Sequence, residues 1–91
     1  MPHASPLERA LAERLGLTLR TLREERGLTQ EVVAQRSDIS RQHLQLLEAG
    51  IARRQSREPS NPRIGTLVAL AGTLGVPVAQ LVDDVFGRQA G

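Results

Sequence analysis

The side chains with the most informative chemistry lie in one short stretch, SRQHLQLLEA, which spans residues 40–49. If this stretch is a helix with its leucines inward, its outward positions are Arg41, Gln42, His43, Gln45 and Ala49. Arginine donates two hydrogen bonds to guanine in the major groove, and glutamine pairs in the same way with adenine. A merely solvated helix face more often carries Glu and Lys pairs at four-residue spacing. The stretch therefore has the chemistry to read base edges of duplex DNA, and we assign this role to Arg41, Gln42 and Gln45.

This stretch is the second of two short predicted helices that are joined by a tight turn. Thr29 is a favourable N-cap for the first helix, over 30–37, and Ser40 caps the second, which Gly50 ends. In a helix-turn-helix the second helix lies in a major groove, although many paired helices have no DNA function. The N-terminus of the helix that Ser40 caps favours the binding of a phosphate. We also assign His43, in the first turn of this helix, to the phosphate contacts.

A longer helix precedes this pair. Leucines at helical spacing predict it over about 7–26, with Pro6 at its start and Gly27 at its end. Gly16 costs the helix interior about 1 kcal/mol relative to alanine. Residues 1–15 are therefore either a helical arm, which would serve as a dimer element, or an extension of the first helix, and both alternatives stay open.

Two further helices follow the pair. Asn61 as cap and Pro62 at the first helical position predict a fourth helix that Gly75 ends, and a fifth covers about 77–84. The buried side of the fourth helix is assigned to apolar residues: Ile64, Leu67, Val68, Leu70, Ala71 and Leu74. The predicted organisation is an arm over 1–15, a helix-turn-helix domain over 16–84 and a tail over 85–91. Val85 and Phe86 serve either local packing or a dimer contact.

The segment 51–61, IARRQSREPSN, is polar, basic and irregular, which is typical of an exposed loop. Residues 41–63 carry five arginines against two glutamates, although the whole chain has a net charge of only +2. Arg53, Arg54 and Arg57 are positioned to hold a phosphate backbone or to enter a minor groove. The alternative is a solvated loop without DNA contacts.

Composition excludes several classes of protein. The 91 residues fit one domain, and the absence of cysteine removes disulfides and thiolate sites. Phe86 is the only aromatic residue, so an aromatic platform for single-stranded nucleic acid is excluded. No side chains stand at spacings that predict a metal site, a cofactor site or a catalytic centre, and we expect no enzyme. No apolar stretch approaches the roughly 18 residues of a membrane span or forms a signal-peptide core, so we expect a cytoplasmic protein.

From Gly16 to about Asp83 the sequence resembles the phage-repressor and Cro-like helix-turn-helix regulators, also called the XRE family. The resemblance is specific because several motifs occur in order: LTQ, the turn, an LxxLExG ending and an LGV segment. The matching residues are Leu19, Leu22, Arg23, the GLTQ of 27–30, Val33, Ala34, Ile39, Ser40, Leu44, Leu47, Glu48, Gly50, Pro62, Leu67, Leu70, Ala71, Leu74, Gly75, Val76 and Leu81.

The resemblance implies an all-α, compact five-helix, lambda-repressor-like DNA-binding domain that acts as a homodimer. It implies that Gln30 lies beside a phosphate and braces the second helix, and that Leu46 joins the base-reading positions. Arg63 matches a position that can reach the phosphate backbone or the minor groove. Arg23 and Glu48 match an internal ion pair, and the alternative is a surface pair worth under roughly 1 kcal/mol.

Two departures from the family pattern stand out. Asp38 occupies the turn position where the family usually has glycine, and aspartate tolerates the left-handed backbone better than most residues. The loop over 51–61 is also longer than usual. We expect a sequence-specific regulator of transcription, most simply a repressor, that binds a palindromic operator as a homodimer. The alternative is an adaptor that docks to a protein, such as an antitoxin-type subunit or a coactivator, with a toxin or polymerase as partner.

Overall fold

The computed structural model describes residues 5–56 and 58–87. This part of the chain contains five helices and no strand, apart from one isolated bridge between Ile51 and Pro59. The helices are α1 Pro6–Glu25, α2 Gln30–Arg36, α3 Arg41–Ala49, α4 Ile64–Leu74 and α5 Val78–Phe86. The predicted all-α, five-helix fold is confirmed. Arg57 and the chain ends, 1–4 and 88–91, lie outside the described residues.

The first helix runs without a break through Gly16. Ser5 caps it by accepting a hydrogen bond from the Glu8 amide at 3.1 Å. Ala12 and Leu15 are buried, so the first half of α1 belongs to the same packed unit as the second half. Leu7 is 56% exposed and takes no part in the core.

The core is aliphatic and lies where α1 packs against α3 and α5, α2 against α3 and α4, and α4 against α5. Its buried members come from all five helices: Leu15, Leu19, Val33, Ala34, Leu44, Leu47, Leu70, Ala71, Leu74, Leu81 and Val85. The assignment of Ile64 and Val68 to the buried side of α4 was wrong, because these side chains are 78% and 50% exposed. Helix α4 presents only a narrow stripe to the core.

The fourth helix begins two residues later than predicted. Asn61 and Pro62 precede it, and the extended Arg63 is the N-cap, with no side-chain hydrogen bond to the first turn. The cause is nonlocal, since the Ser60 amide donates to the Gly50 carbonyl at 3.0 Å and Ile51 pairs with Pro59. This pairing holds the chain extended as far as Ser60, and Arg63 just before α4 is extended as well.

The fifth helix continues past the predicted boundary at residue 84. Val85 and Phe86, which the sequence assigned to the tail, are the last residues of α5. Val85 is 3% exposed and belongs to the core, whereas Phe86 is 50% exposed. Of the two alternatives for this pair, local packing therefore holds for Val85, whereas Phe86 stays at the surface, where a dimer contact remains a prediction.

Candidate nucleic-acid interface

Helix α3 is held tightly against α1, and two glycines make the approach possible. A Cβ atom at Gly16 would lie 2.6 Å from the Leu47 carbonyl oxygen and closer still to that of Glu48. Gly50 ends α3 with φ +77, and a Cβ there would lie 3.0 Å from the Glu13 Cα. Leu44 and Leu47 are buried at 1% and 2% exposure, which fixes the rotation of α3 about its axis. Its opposite face is therefore presented outward in a defined orientation.

A turn with one left-handed residue sets the angle between α2 and α3. Asp38 has φ +58, the conformation that its position in the family pattern requires. The Ile39 amide donates to the Ala34 carbonyl at 3.0 Å and closes the turn. Ser37, 4% exposed, hydrogen-bonds the Thr73 hydroxyl at 2.8 Å and ties the end of α2 to α4.

Arg23 and Glu48 form a bidentate ion pair beneath this outward face. The Arg23 Nε and Nη2 donate to the two Glu48 carboxylate oxygens at 2.7 and 3.0 Å, and Nη1 donates to the Leu28 carbonyl at 3.0 Å. The side chains are only 13% and 6% exposed. The hydrogen bonds to Glu48 raise the pKa of the Arg23 guanidinium, so its charge is permanent.

Gln30 joins the same network from the start of α2. Its side-chain Nε2 donates to Glu48 Oε1 at 2.9 Å. Through Glu48, therefore, α1, α2 and α3 are tied at one point. The Gln30 amide nitrogen carries a second N–H, which is available for another acceptor.

An open cleft of about 790 Å³ lies above this network, between α1, the start of α2 and α3. It brings together Gln30, Arg41 and Gln45 from the predicted site, and it adds Arg20 of α1, which the sequence reasoning missed. Arg20 precedes Arg23 by three residues and therefore lies on the same face of α1. This spacing was the signal in the sequence that could have placed Arg20 beside the site. Glu31 also lines the cleft, so its walls carry both signs of charge.

The remaining predicted residues of α3 lie beside the cleft rather than in it. Gln42 and His43 are exposed, and Leu46 is half-buried. The Ser40 hydroxyl accepts a hydrogen bond from the His43 amide at 2.9 Å, so it is engaged as the N-cap. The Ser40 O–H can still donate to an anion, beside the backbone N–H groups of the first turn of α3.

The loop that follows α3 is pinned at its base. The Ala52 amide donates to the Glu58 carbonyl at 2.8 Å, and the Ile51 amide donates to the Leu46 carbonyl at 3.1 Å. Arg53 and Arg54 are exposed on this loop. Arg63 is exposed beyond it, at the start of α4, and does not line the cleft.

Within the described ranges, neither a metal site nor a single membrane-spanning helix is present. No group of three or more His, Cys, Asp or Glu side chains there is placed to hold a metal ion. No single helix in these ranges is long and apolar enough to cross a membrane. Helices α4 and α5 meet that test only as a pair, with a bend of 107° between them.

Comparisons with known proteins agree with this geometry. Residues 14–83 match the family model of the helix-turn-helix domain. The chain is 34% identical over 70 residues to the immunity repressor protein of Bacillus phage phi105, covering 77% of this chain and 43% of that repressor. It is 46% identical over 68 residues to the HTH-type transcriptional regulator y4dJ of Sinorhizobium fredii, covering 75% of this chain and 78% of the relative. The match thus spans less than half of the phage protein.

Solved structures give the same result for the fold. Two crystal structures of the clp gene regulator ClgR from Corynebacterium glutamicum superpose with TM-scores of 0.69 and 0.66. Their sequences are 28% and 26% identical to this chain. The superpositions cover 98% and 93% of this chain, and 81% and 95% of the ClgR chains.

Proposed function

The chain belongs to the helix-turn-helix domain family, and on that premise we propose that it is a sequence-specific regulator of transcription that binds double-stranded DNA. The observation that carries the proposal is the outward face of α3. This face presents Arg41, Gln42 and Gln45, while the leucines behind it fix the helix in place. The matched relatives are an immunity repressor, an HTH-type transcriptional regulator and a clp gene regulator, and these names support the proposal.

The proposed division of roles follows position and chemistry. Arg41, Gln42, Gln45 and Leu46 meet base edges in the major groove. The phosphate backbone is held around them by residues of α1, α2, the loop and the helix starts: Arg20, Gln30, Ser40, His43, Arg53, Arg57 and Arg63. Arg23 and Glu48 stay beneath as scaffold. Binding at a promoter would then block polymerase sterically, as a cytoplasmic repressor does.

A homodimer completes the proposal, since two copies place two recognition helices in successive major grooves about 34 Å apart. Support comes from an exposed apolar stripe on α5. Val78, Val82 and Phe86 recur at four-residue spacing and are 36%, 41% and 50% exposed. Such a stripe can pack against the same stripe of a second copy, because a two-fold interface brings identical surfaces together.

Substituting Val82→Glu tests the dimer directly. A carboxylate in the centre of an apolar two-fold contact faces its own copy, so we expect the variant to sediment as a monomer at concentrations where the wild type is a dimer. The matched control is Val68→Glu, which places the same charge on an apolar position of α4 with similar exposure, 50% against 41% for Val82. A wild-type monomer, or a Val82→Glu dimer, contradicts an interface at α5.

The function itself is tested by selection from a random duplex library with the purified protein at near-physiological salt. We expect a palindromic motif with half-sites one helical turn apart. A motif without symmetry would support sequence-specific binding but would contradict binding as a symmetric dimer. No enrichment, with weak binding that disappears as salt rises, rejects the proposal in favour of a protein-docking adaptor.

Substituting Arg41→Ala separates base reading from backbone contact. The side chain is exposed at the start of α3 and lines the cleft. We expect affinity for the selected duplex to fall by about 1–3 kcal/mol, with a much smaller loss on a scrambled duplex, because a bidentate base contact discriminates by that amount. Equal losses on the two duplexes, measured by fluorescence anisotropy, would assign Arg41 to the phosphates.

The loop arginines are tested by the salt dependence of binding. Replacing Arg53 and Arg57 with alanine removes two proposed phosphate contacts. We expect the slope of log K against log salt to become shallower by about two, since each neutralised phosphate contributes about 0.9. An unchanged slope would show that Arg53 and Arg57 do not contact phosphates and that the segment is a solvated loop.

A further inference from the structure

One side chain of the loop touches the proposed base-reading surface directly. Arg54 Nη2 donates a hydrogen bond to Gln45 Oε1 at 3.3 Å. The two residues are nine positions apart, and Gln45 is half-buried whereas Arg54 is exposed. Arg54 therefore engages a base-reading side chain before any DNA is present.

Backbone hydrogen bonds hold the loop that carries Arg54 against the end of α3. Hydrogen bonds join Ala52 to Glu58, Ser60 to Gly50 and Ile51 to Leu46, and each has a length of 2.8–3.1 Å. They fix both ends of the loop against the C-terminal end of α3. The guanidinium at position 54 is consequently presented toward the last turns of α3 by a pinned loop.

The contact changes what the Gln45 amide offers to a base. A glutamine reads adenine when its oxygen accepts from N6 and its nitrogen donates to N7. Here the oxygen already faces a cation. It keeps a second lone pair, but an adenine amino group approaching it would meet the guanidinium, which is also a donor. The Gln45 amide nitrogen remains a donor, and guanine presents two acceptors, N7 and O6, at the same edge.

From this geometry we propose that Arg54 sets the base preference at Gln45, turning a glutamine suited to adenine into part of a donor pair that selects guanine. The inference rests on the proposed function, because it specifies how the same α3 surface discriminates between bases. Arg54 is thus a positioning and specificity residue rather than a phosphate contact, which revises the role that the sequence assigned to it.

Four parallel selections from the random duplex library test the proposal: the wild type, Gln45→Ala, Arg54→Ala and Arg53→Ala. The position that loses its preference in Gln45→Ala identifies the base that Gln45 contacts. At that position we expect guanine in the wild-type motif. In Arg54→Ala we expect the guanine-to-adenine ratio to fall by at least about fivefold, the lower end of what one bidentate contact discriminates. Arg53→Ala removes the same charge from the neighbouring residue and should weaken binding to all sequences alike, with the preference unchanged.

Several results would overturn the inference about Arg54, and each can be told apart from a result that rejects the proposed DNA-binding function. If the wild type selects a motif but Arg54→Ala keeps guanine, or Arg53→Ala shifts the preference equally, Arg54 does not set it. If Gln45→Ala leaves the base preference unchanged at every position of the motif, Gln45 reads no base and the inference is wrong. If the wild type selects nothing, the proposed function fails and the inference fails with it.

The Arg54–Gln45 contact is also measurable without DNA. The side-chain amide proton signals of Gln45 in the NMR spectrum of the free protein should move in Arg54→Ala and stay in place in Arg53→Ala. Unmoved Gln45 signals in Arg54→Ala would overturn the inference even where the DNA motif changes.

Discussion

Replacing Gly16 with alanine is expected to lower the free energy of unfolding by about 2–3 kcal/mol, the upper part of the ordinary range for overpacking. The added Cβ would lie 2.6 Å from the carbonyl oxygen of Leu47 and closer still to that of Glu48. These are backbone atoms, so no side-chain rotation relieves the contact, and α1 and α3 must separate. Urea unfolding followed by circular dichroism measures the change. Because α3 shifts with the contact, affinity for the selected duplex should fall as well.

Gly72→Ala is the matched control. Gly72 is also inside a helix, α4, but it is exposed, and a Cβ there meets no atom of the described residues within 4 Å. Alanine at this position should stabilise the protein by about 0.5–1 kcal/mol through helix propensity alone. Opposite signs for the two substitutions are expected, and stabilisation by both would contradict the close approach of α1 to α3.

Replacing Arg23 with methionine is expected to cost about 3–5 kcal/mol of unfolding free energy. Methionine keeps much of the side-chain volume but leaves the Glu48 carboxylate, 6% exposed, without its cation. The Leu28 carbonyl also loses its donor. Removing Glu48 together with Arg23, by Glu48→Met, should restore part of the loss, since no buried charge is then left alone.

An exposed pair one turn away in α1 provides the control. Arg20 and Glu24 meet at 3.2 Å with side chains 60% and 55% exposed. Arg20→Met should change stability by less than about 1 kcal/mol. Similar losses for Arg20→Met and Arg23→Met in the same unfolding experiment would show that burial does not distinguish the two pairs.

The response of the Arg23 pair to pH follows from the direction of its pKa shift. The pKa of Arg23 is raised in the folded protein, mainly by its hydrogen bonds to Glu48. A raised pKa contributes stability that is complete below the ordinary arginine value and is lost only when pH rises through the shifted one. Deprotonation of Arg23 therefore removes no stability at neutral or mildly alkaline pH.

The parts of the fold that follow from local signals were predictable from the sequence. Helix α3 has the predicted bounds because Ser40 caps its start and Gly50, with φ +77, ends it. Asp38 adopts the left-handed conformation that its place in the turn requires. Each of these features depends on residues within a few positions of one another.

The features that the sequence did not predict depend on distant residues. Asn61 and Pro62 have the right types to start α4, yet Ser60 pairs with Gly50 and keeps the chain extended. The hydrogen bond between Arg54 and Gln45 depends on the path of the loop, which no residue pattern specifies. Ile64 has helical spacing from the buried residues of α4, but its side chain is 78% exposed, since none of the other four helices described covers it.

Methylation protection with dimethyl sulfate tests most directly whether α3 reads the major groove. The reagent modifies guanine N7, which lies in the major groove, and adenine N3, which lies in the minor groove. On the selected duplex we expect the wild type to protect guanine N7 in two half-sites one helical turn apart, and Arg41→Ala to lose part of that protection. Protection confined to adenine N3, or binding that leaves every guanine N7 reactive, would contradict recognition through α3.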